Sequence, residues 1–154
     1  MGNCSPTPIK LEPPTPVRFY SEEAVRDNYE YHLEARSVEA FGEEYLAYSL
    51  TDLRRFLQSL PVEQLMALRG RIGIDNFAYM LLGKEREWLA EANARCTSTF
   101  GLAVGEIQMD EELFPRKRAM NCYLDPDRRV WLLDPITLKL VHPSAESNIH
   151  YVIL

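Results

Sequence analysis

The hydrophobic periodicity of this chain changes near residue 96, and this change constrains the fold more than any other feature of the sequence. Before it, apolar residues recur every three or four positions, as they do on the buried face of an amphipathic helix. After it, short apolar runs alternate with turn residues, which is typical of strands joined by hairpins. Helices followed by antiparallel strands in a chain of 154 residues predict an α+β fold.

Residues 20–95 are predicted to be helical. The first helix begins after Ser21, whose side chain suits an N-cap, and it places Val25, Tyr29 and Leu33 on one apolar stripe. The remaining predictions are a helix over 51–60, a short helical piece ending at Gly70, a helix from Asp75 with Gly83 as its C′ residue, and a helix over 84–95.

Residues 96–154 are predicted to form the sheet. The expected strands are 100–107, 118–124, 130–134, 138–141 and 148–154. The Asp-Pro-Asp-Arg-Arg sequence at 125–129 has the residues of a turn. We predict a five-residue loop there, which places Leu124 opposite Val130.

The first 19 residues hold half of the ten prolines of the chain. Proline fixes φ and removes a backbone donor, so this segment is predicted to be an extended arm that precedes a single domain over 20–154. Such an arm is either a solvated tail or a segment that becomes ordered on a partner. Its candidate partner-contact residues are Pro6, Pro8, Pro13, Pro14 and Pro16.

The formal charge of −6 has a local origin. Between residues 22 and 44 eight acidic residues face only Arg26 and Arg36, which accounts for the whole excess. We predict that this stretch forms an acidic helix, either a solvated face or a contact surface for a basic partner. An acidic chain of this kind lacks the basic face that non-specific nucleic-acid binding needs.

Several classes of protein are excluded by what the sequence lacks. It contains no apolar run long enough for a membrane span and no secretory signal. Its three cysteines and three histidines are too scattered for a disulfide framework or a metal site, and no cofactor-binding motif occurs. We therefore expect a soluble protein of a reducing compartment, such as a host cytoplasm, without cofactor or metal.

Three segments carry a resemblance to a known family. They are Asp75-Asn76-Phe77-Ala78 at a helix start, Arg118-Ala119-Met120-Asn121 on a strand, and Val-Trp-Leu-Leu-Asp-Pro over 130–135. In this order they resemble the papain-like fold of a fungal agglutinin C-terminal domain and of lectin-like bacteriophage proteins. That family has Cys-Asp-Asp/Asn-Phe-Ala, then His-Ala-x-Asn, then Val-Trp-Leu-x-Glu-Pro. The resemblance covers about half of the chain and implies a papain-like or lectin-like fold.

The resemblance also implies where a catalytic site would lie. The family's nucleophilic cysteine falls on Ile74, its general-base histidine on Arg118, and its acidic orienting residue on Asp134. Isoleucine has no nucleophilic atom and arginine has no acceptor, so a cysteine protease at this site is excluded. The matching positions Asp75, Asn76 and Asn121 remain candidate binding residues.

The predicted hairpin gives Arg118 a candidate partner. A five-residue loop would place Met120 opposite Asp134 and Arg118 on the diagonal, within reach of the carboxylate. We therefore expect an ion pair between Arg118 and Asp134, where the family has a histidine and an acid.

These features favour a non-catalytic binding or structural protein, a pseudoenzyme acting through contacts with other proteins as a component of a bacteriophage virion. A glycan is a further candidate ligand. Two alternatives remain open. One is a regulatory or inhibitory protein that binds a basic partner through the acidic helix, and the other is a hydrolase with displaced residues such as Asp75, Asp134 or Cys122.

Overall fold

The computed structural model describes residues 11–91, 97–109, 112–135, 137–143 and 147–154. Helices and strands both contribute to the fold, so the predicted α+β class is confirmed. In chain order the elements of this described part are β1 Pro16–Ser21, α1 Glu22–Leu33, β2 Ser37–Glu39, β3 Glu44–Tyr48, α2 Leu50–Ser59, α3 Val62–Glu91, β4 Thr97–Ser98, β5 Gly101–Ile107, β6 Arg116–Leu124, β7 Val130–Leu133, β8 Leu140–Val141 and β9 Asn148–Ile153.

The strands form two sheets. The larger has six strands in the order β2-β9-β5-β6-β7-β8, and the smaller has three in the order β1-β3-β4. Most neighbours are antiparallel, as expected, but β2 runs parallel to β9 and β3 runs parallel to β4. Both sheets are therefore mixed, because strands from the first half of the chain join strands from the second.

The two faces of β6 belong to two different hydrophobic clusters. Met120, Cys122 and Leu124 pack in a cluster with the buried residues of α1. Tyr123 points the other way, into a cluster built from α2 and α3. Since side chains alternate along a strand, this arrangement covers the larger sheet with helices on both faces.

Two strands, β2 and β3, lie in the part of the chain that was expected to be helical, and β1 lies mostly in the predicted arm. Strand β1 pairs with β3 in antiparallel register, with Phe19 opposite Leu46 and Tyr20 opposite Tyr45. The periodicity of a short apolar run does not distinguish a helix from a strand, and these three strands were missed for that reason. Strand β1 begins at Pro16, three residues before the predicted end of the arm at residue 19.

The described part of the predicted arm packs on its own chain. Leu11 packs against the α2–α3 cluster, and the Glu12 carbonyl oxygen accepts a hydrogen bond from Trp88 Nε1 at 2.9 Å. The Thr15 amide donates to Asp52 Oδ2 at 3.1 Å. Pro14 is buried, so it is not a free partner contact, whereas Pro13 and Pro16 are exposed. Pro6 and Pro8 lie outside the described residues.

The first predicted helix is confirmed, but the acidic stretch is not one helix. Ser21 is the N-cap of α1, its hydroxyl accepts from the Ala24 amide at 3.1 Å, and the predicted stripe is buried. The helix ends at Leu33 because Glu34 adopts a left-handed conformation with φ 51°. The acidic residues beyond it lie on β2, β3 and their connections.

Helix α3 replaces three predicted helical pieces. It runs over 30 residues, and its only non-helical position is Gly73, with φ 80° and ψ 166°. Gly83 lies inside the helix, so the prediction that it ends a helix is wrong. The buried apolar stripe has Leu81 before Gly83 and Trp88 after it, so the stripe continues past the glycine. Burial of this stripe outweighs the cost of about 1 kcal/mol for a glycine inside a helix.

The predicted hairpin register is confirmed. Leu124 pairs with Val130, Tyr123 with Trp131, and residues 125–129 form the five-residue loop. The Asp125 carboxylate builds this loop, because its Oδ1 accepts hydrogen bonds from the backbone amides of Asp127 and Arg129 at 2.8 and 2.9 Å.

Candidate functional site

The kink in α3 creates a new helix start against the larger sheet. Gly73 has a positive φ, a conformation that only glycine adopts readily, and it divides the helix into two segments. The side-chain nitrogen Nδ2 of Asn76 donates to the Ile72 carbonyl oxygen at 2.8 Å and so supplies a partner to a backbone group at the kink. Ile74, the position of the family's nucleophile, is the first residue of the second helical segment.

Two hydrogen bonds attach this segment to β6. Asp75 Oδ1 accepts from the Ala119 amide at 2.8 Å, and Asn121 Nδ2 donates to the Ala78 carbonyl oxygen at 2.9 Å. The resembling segments around residues 75 and 118 therefore meet. Asn121 is buried and serves this contact, whereas Asn76 is exposed.

The predicted ion pair between Arg118 and Asp134 is absent from the described residues. Arg118 Nη2 instead donates to both carboxylate oxygens of Glu112, each at 2.8 Å. Partial desolvation raises the pKa of Glu112, but the hydrogen bonds from Arg118 and from the Met109 backbone outweigh it, and the net pKa is lowered. Glu112 comes from the β5–β6 connection, which lies closer to Arg118 along the chain than β7 does.

Asp134 has a local role instead. It follows β7, and its Oδ1 accepts from the Thr137 amide at 3.3 Å while its backbone carbonyl oxygen accepts from the Leu138 amide at 2.8 Å. The next residue, Pro135, accepts at its carbonyl oxygen from Arg69 of α3 at 2.7 Å. Asp134 therefore shapes the turn between β7 and β8.

The two positions where the resembling family has its nucleophile and its base lack the groups that thiol catalysis requires. Neither Ile74 nor Arg118 can attack a substrate or accept a proton. The one described cysteine, Cys122, is fully buried, and burial raises the pKa of its thiol to about 12. A thiol with that pKa is not a nucleophile at neutral pH, because the thiolate is the reactive form.

A second polar cluster is buried between α3 and the strands. The Glu85 carboxylate is fully buried, and its Oε1 accepts from Tyr48 Oη at 3.1 Å and from Ser98 Oγ at 2.6 Å. Its Oε2 accepts from Arg86 Nη1 at 2.6 Å, and Arg86 also donates to the Phe100 carbonyl oxygen at 2.9 Å. Burial raises the pKa of Glu85.

This cluster was missed by the sequence predictions, although the sequence contains a signal for it. Glu85 lies four residues after Leu81 and three before Trp88, so the helical period places it on the buried stripe. No buried side-chain nitrogen or oxygen of the described residues lacks a hydrogen-bond partner. Both carboxylate oxygens of Glu85 already accept hydrogen bonds, so the cluster stabilises the contact between α3 and the strands.

Neither a membrane-spanning helix nor a metal-binding group of side chains occurs in the described part of the chain. None of the helices of this part is both long and apolar enough to cross a membrane. The same part contains no group of three or more histidine, cysteine or acidic residues that could hold a metal ion.

No family model matches the chain, and no curated protein matches it.

Proposed function

We propose that this chain is a non-catalytic binding protein with a degenerate papain-like domain, and that it acts as a structural component of a larger protein assembly, namely a bacteriophage particle. The placement in a particle derives from the resemblance to lectin-like bacteriophage proteins. The absence of catalysis derives from the residues at the junction of α3 and β6.

The hydrogen bond between Asp75 and the Ala119 amide carries this proposal. It holds the helix start next to the strand, which is where a papain-like enzyme would combine its cysteine and its histidine. This chain has Ile74 and Arg118 at the two positions, and the carboxylate beside them already binds a backbone amide. The junction therefore serves as a packing contact, and function is left to the surface of the domain.

Cysteine alkylation tests the absence of thiol catalysis. At pH 8 a thiol with a pKa of about 12 is ionised in about one molecule in ten thousand, so native Cys122 should react with iodoacetamide far more slowly than in urea. Peptide mass spectrometry resolves this site from the other two cysteines. Rapid native labelling of Cys122, together with a hydrolytic activity that labelling abolishes, would contradict the proposal.

Purified particles test the structural role. Quantitative mass spectrometry should find the chain at a fixed copy number relative to the major particle proteins after density-gradient purification. As a control, an abundant host protein should fall below detection in the same fractions. A chain that remains with the unassembled protein, and elutes from a sizing column as a 17.8 kDa monomer, would refute the proposal.

One observation favours a second candidate, a regulator that binds a basic protein. Of the eight acidic residues between 22 and 44, all except Glu22 are exposed, and the aromatic side chains of Tyr31 and Phe41 are 80% and 85% exposed among them. Replacing Glu30, Glu34, Glu39 and Glu43 together by glutamine should abolish binding to a cationic partner protein. Unchanged binding would exclude this candidate.

A further inference from the structure

The two edges of the six-stranded sheet differ in how they are protected. At the β2 edge, the Arg26 guanidinium donates hydrogen bonds to the carbonyl oxygens of Val38 and Ala40. A side chain in this position blocks the approach of another strand. At the β8 edge, no further strand of the described residues pairs with Leu140–Val141.

A groove of about 630 Å³ runs beside the β8 edge. Its apolar walls come from Leu57 of α2, Met66 of α3, and Leu138 and Leu140 at β8. Leu138 has φ 56°, a left-handed conformation that costs about 1 kcal/mol or more in a residue other than glycine. The turn thus holds an apolar side chain in the groove although its backbone is strained there.

Two cations line the same groove. Arg54 and Lys139 are both exposed, and among the described residues neither side chain forms an ion pair or hydrogen bond. By contrast, Arg26, Arg55, Arg86, Arg118 and Arg129 each pair with a carboxylate. A groove with apolar walls and unpaired cations is complementary to an occupant that is apolar and negatively charged.

We propose that this groove binds an extended acidic segment of a partner protein, which adds to the larger sheet as a strand beside β8. Apolar side chains of the segment would fill the space between Leu57, Met66 and Leu140, and its carboxylates would pair with Arg54 and Lys139. Strand addition supplies affinity through main-chain hydrogen bonds and specificity through the alternate side chains. This inference rests on the proposed function, because it specifies the surface through which the non-catalytic domain binds its assembly.

A defined peptide tests the site. The probe is fluorescein-labelled Glu-Leu-Glu-Leu-Glu-Leu, and binding is measured by fluorescence anisotropy on the full chain. We expect saturable binding that weakens about 5-fold in each of the variants Arg54→Glu and Lys139→Glu, since an exposed ion pair contributes up to about 1 kcal/mol. The matched control is Arg36→Glu, which makes the same change of charge beside the opposite edge of the sheet and should bind as tightly as the unchanged chain.

A second probe separates strand addition from attraction between charges. Two versions of the same peptide carry N-methyl groups, one on the odd-numbered amides and the other on the even-numbered amides. Each version keeps its carboxylates but cannot donate hydrogen bonds along one of its two edges. Loss of binding by at least one of the two alternately methylated peptides is expected. The proposal is overturned if both bind as tightly as the parent peptide, if no saturable binding occurs, or if the two charge reversals have no effect.

Two further outcomes are informative. Self-association of the chain in sedimentation velocity that disappears in Lys139→Glu would overturn the proposed occupant and identify it as a second copy of the chain. A hydrolytic activity of the chain would refute the proposed function without changing peptide binding. Absence of saturable peptide binding would refute only this docking site.

Discussion

Burial in the folded state disfavours the ionised form of Glu85, so the stability of the fold depends on the protonation of this carboxyl. Burial raises the pKa of its carboxyl above the unfolded value of about 4.3. The protonated form of Glu85 contributes its full stabilisation when the pH is below the pKa of the unfolded state. This stabilisation is lost as the pH rises through the pKa of the folded state. Glu112 behaves in the opposite way, because its pKa is lowered and the stability it provides is lost as the pH falls.

The two carboxylates therefore predict opposite pH trends. Relative to Glu85→Gln, the free energy of unfolding of the unchanged chain should decrease from pH 4 to pH 7. Relative to Glu112→Gln, it should increase from pH 3 to pH 5, since glutamine cannot form the charged pair with Arg118. Urea unfolding at each pH measures both differences. Differences that do not vary with pH would contradict the coupling for either residue.

At the same scale, local chemistry could be predicted and distant partners could not. The loop at 125–129 was predictable because Asp125 hydrogen-bonds amides two and four residues ahead, and the sequence places these residues together. The partner of Arg118 was not, because its choice of Glu112 over Asp134 depends on how the β5–β6 connection folds back. The hydrogen bond from the Ala119 amide to Asp75 was not predicted either, because it joins residues 44 positions apart in the sequence.

At the scale of elements, the division of α3 depends on one backbone conformation. An added Cβ meets no atom within 4 Å at either Gly73 or Gly83, so packing does not distinguish the two sites. Only Gly73 has a positive φ, which makes the pair a matched test of backbone strain.

Alanine should therefore have opposite effects at the two glycines. Gly73→Ala should lower the free energy of unfolding by about 1–3 kcal/mol, because alanine disfavours φ 80°. Gly83→Ala should raise it by about 0.5–1 kcal/mol, because alanine is the better helix former. Urea denaturation of both variants gives the comparison. Equal stabilisation by both substitutions would mean that the helix passes through residue 73 without a kink.

The elements that sequence reasoning identified are those with long or alternating patterns. Helices α1 and α2 and strands β5, β6 and β9 all have such patterns, and each was found within a few residues of its bounds. Strands β1 to β4 were missed because they are short and are stabilised by partners far away in the sequence, such as β9 for β2. Gly83 was misread for a related reason, since glycine can end a helix but does not end one whose buried stripe continues.

At the scale of the whole molecule, the Arg26 guanidinium occupies the outer carbonyl oxygens at the β2 edge of the larger sheet, and we expect it to prevent the sheet from growing there. Arg26→Met removes the guanidinium but keeps an unbranched side chain, which leaves the carbonyl oxygens of Val38 and Ala40 open to another strand. We expect this variant to associate with itself as its concentration increases. Sedimentation velocity over a hundredfold concentration range measures this association.

The matched control for that substitution is Glu22→Gln. It removes the ion pair between Glu22 and Arg26 but leaves the guanidinium on the β2 carbonyls, so this variant should sediment like the unchanged chain. Association by both variants, or by neither, would contradict a protective role of Arg26.

The inequality between the two edges has a consequence for copy number. If the proposed segment docks at β8, the sheet gains a strand that belongs to the partner, and the edge closed by Arg26 offers no equivalent place for a second segment. Each copy of this chain would then bind one segment. The number of copies in an assembly would then equal the number of free segments that the partner displays, so the partner, and not this chain, sets the stoichiometry.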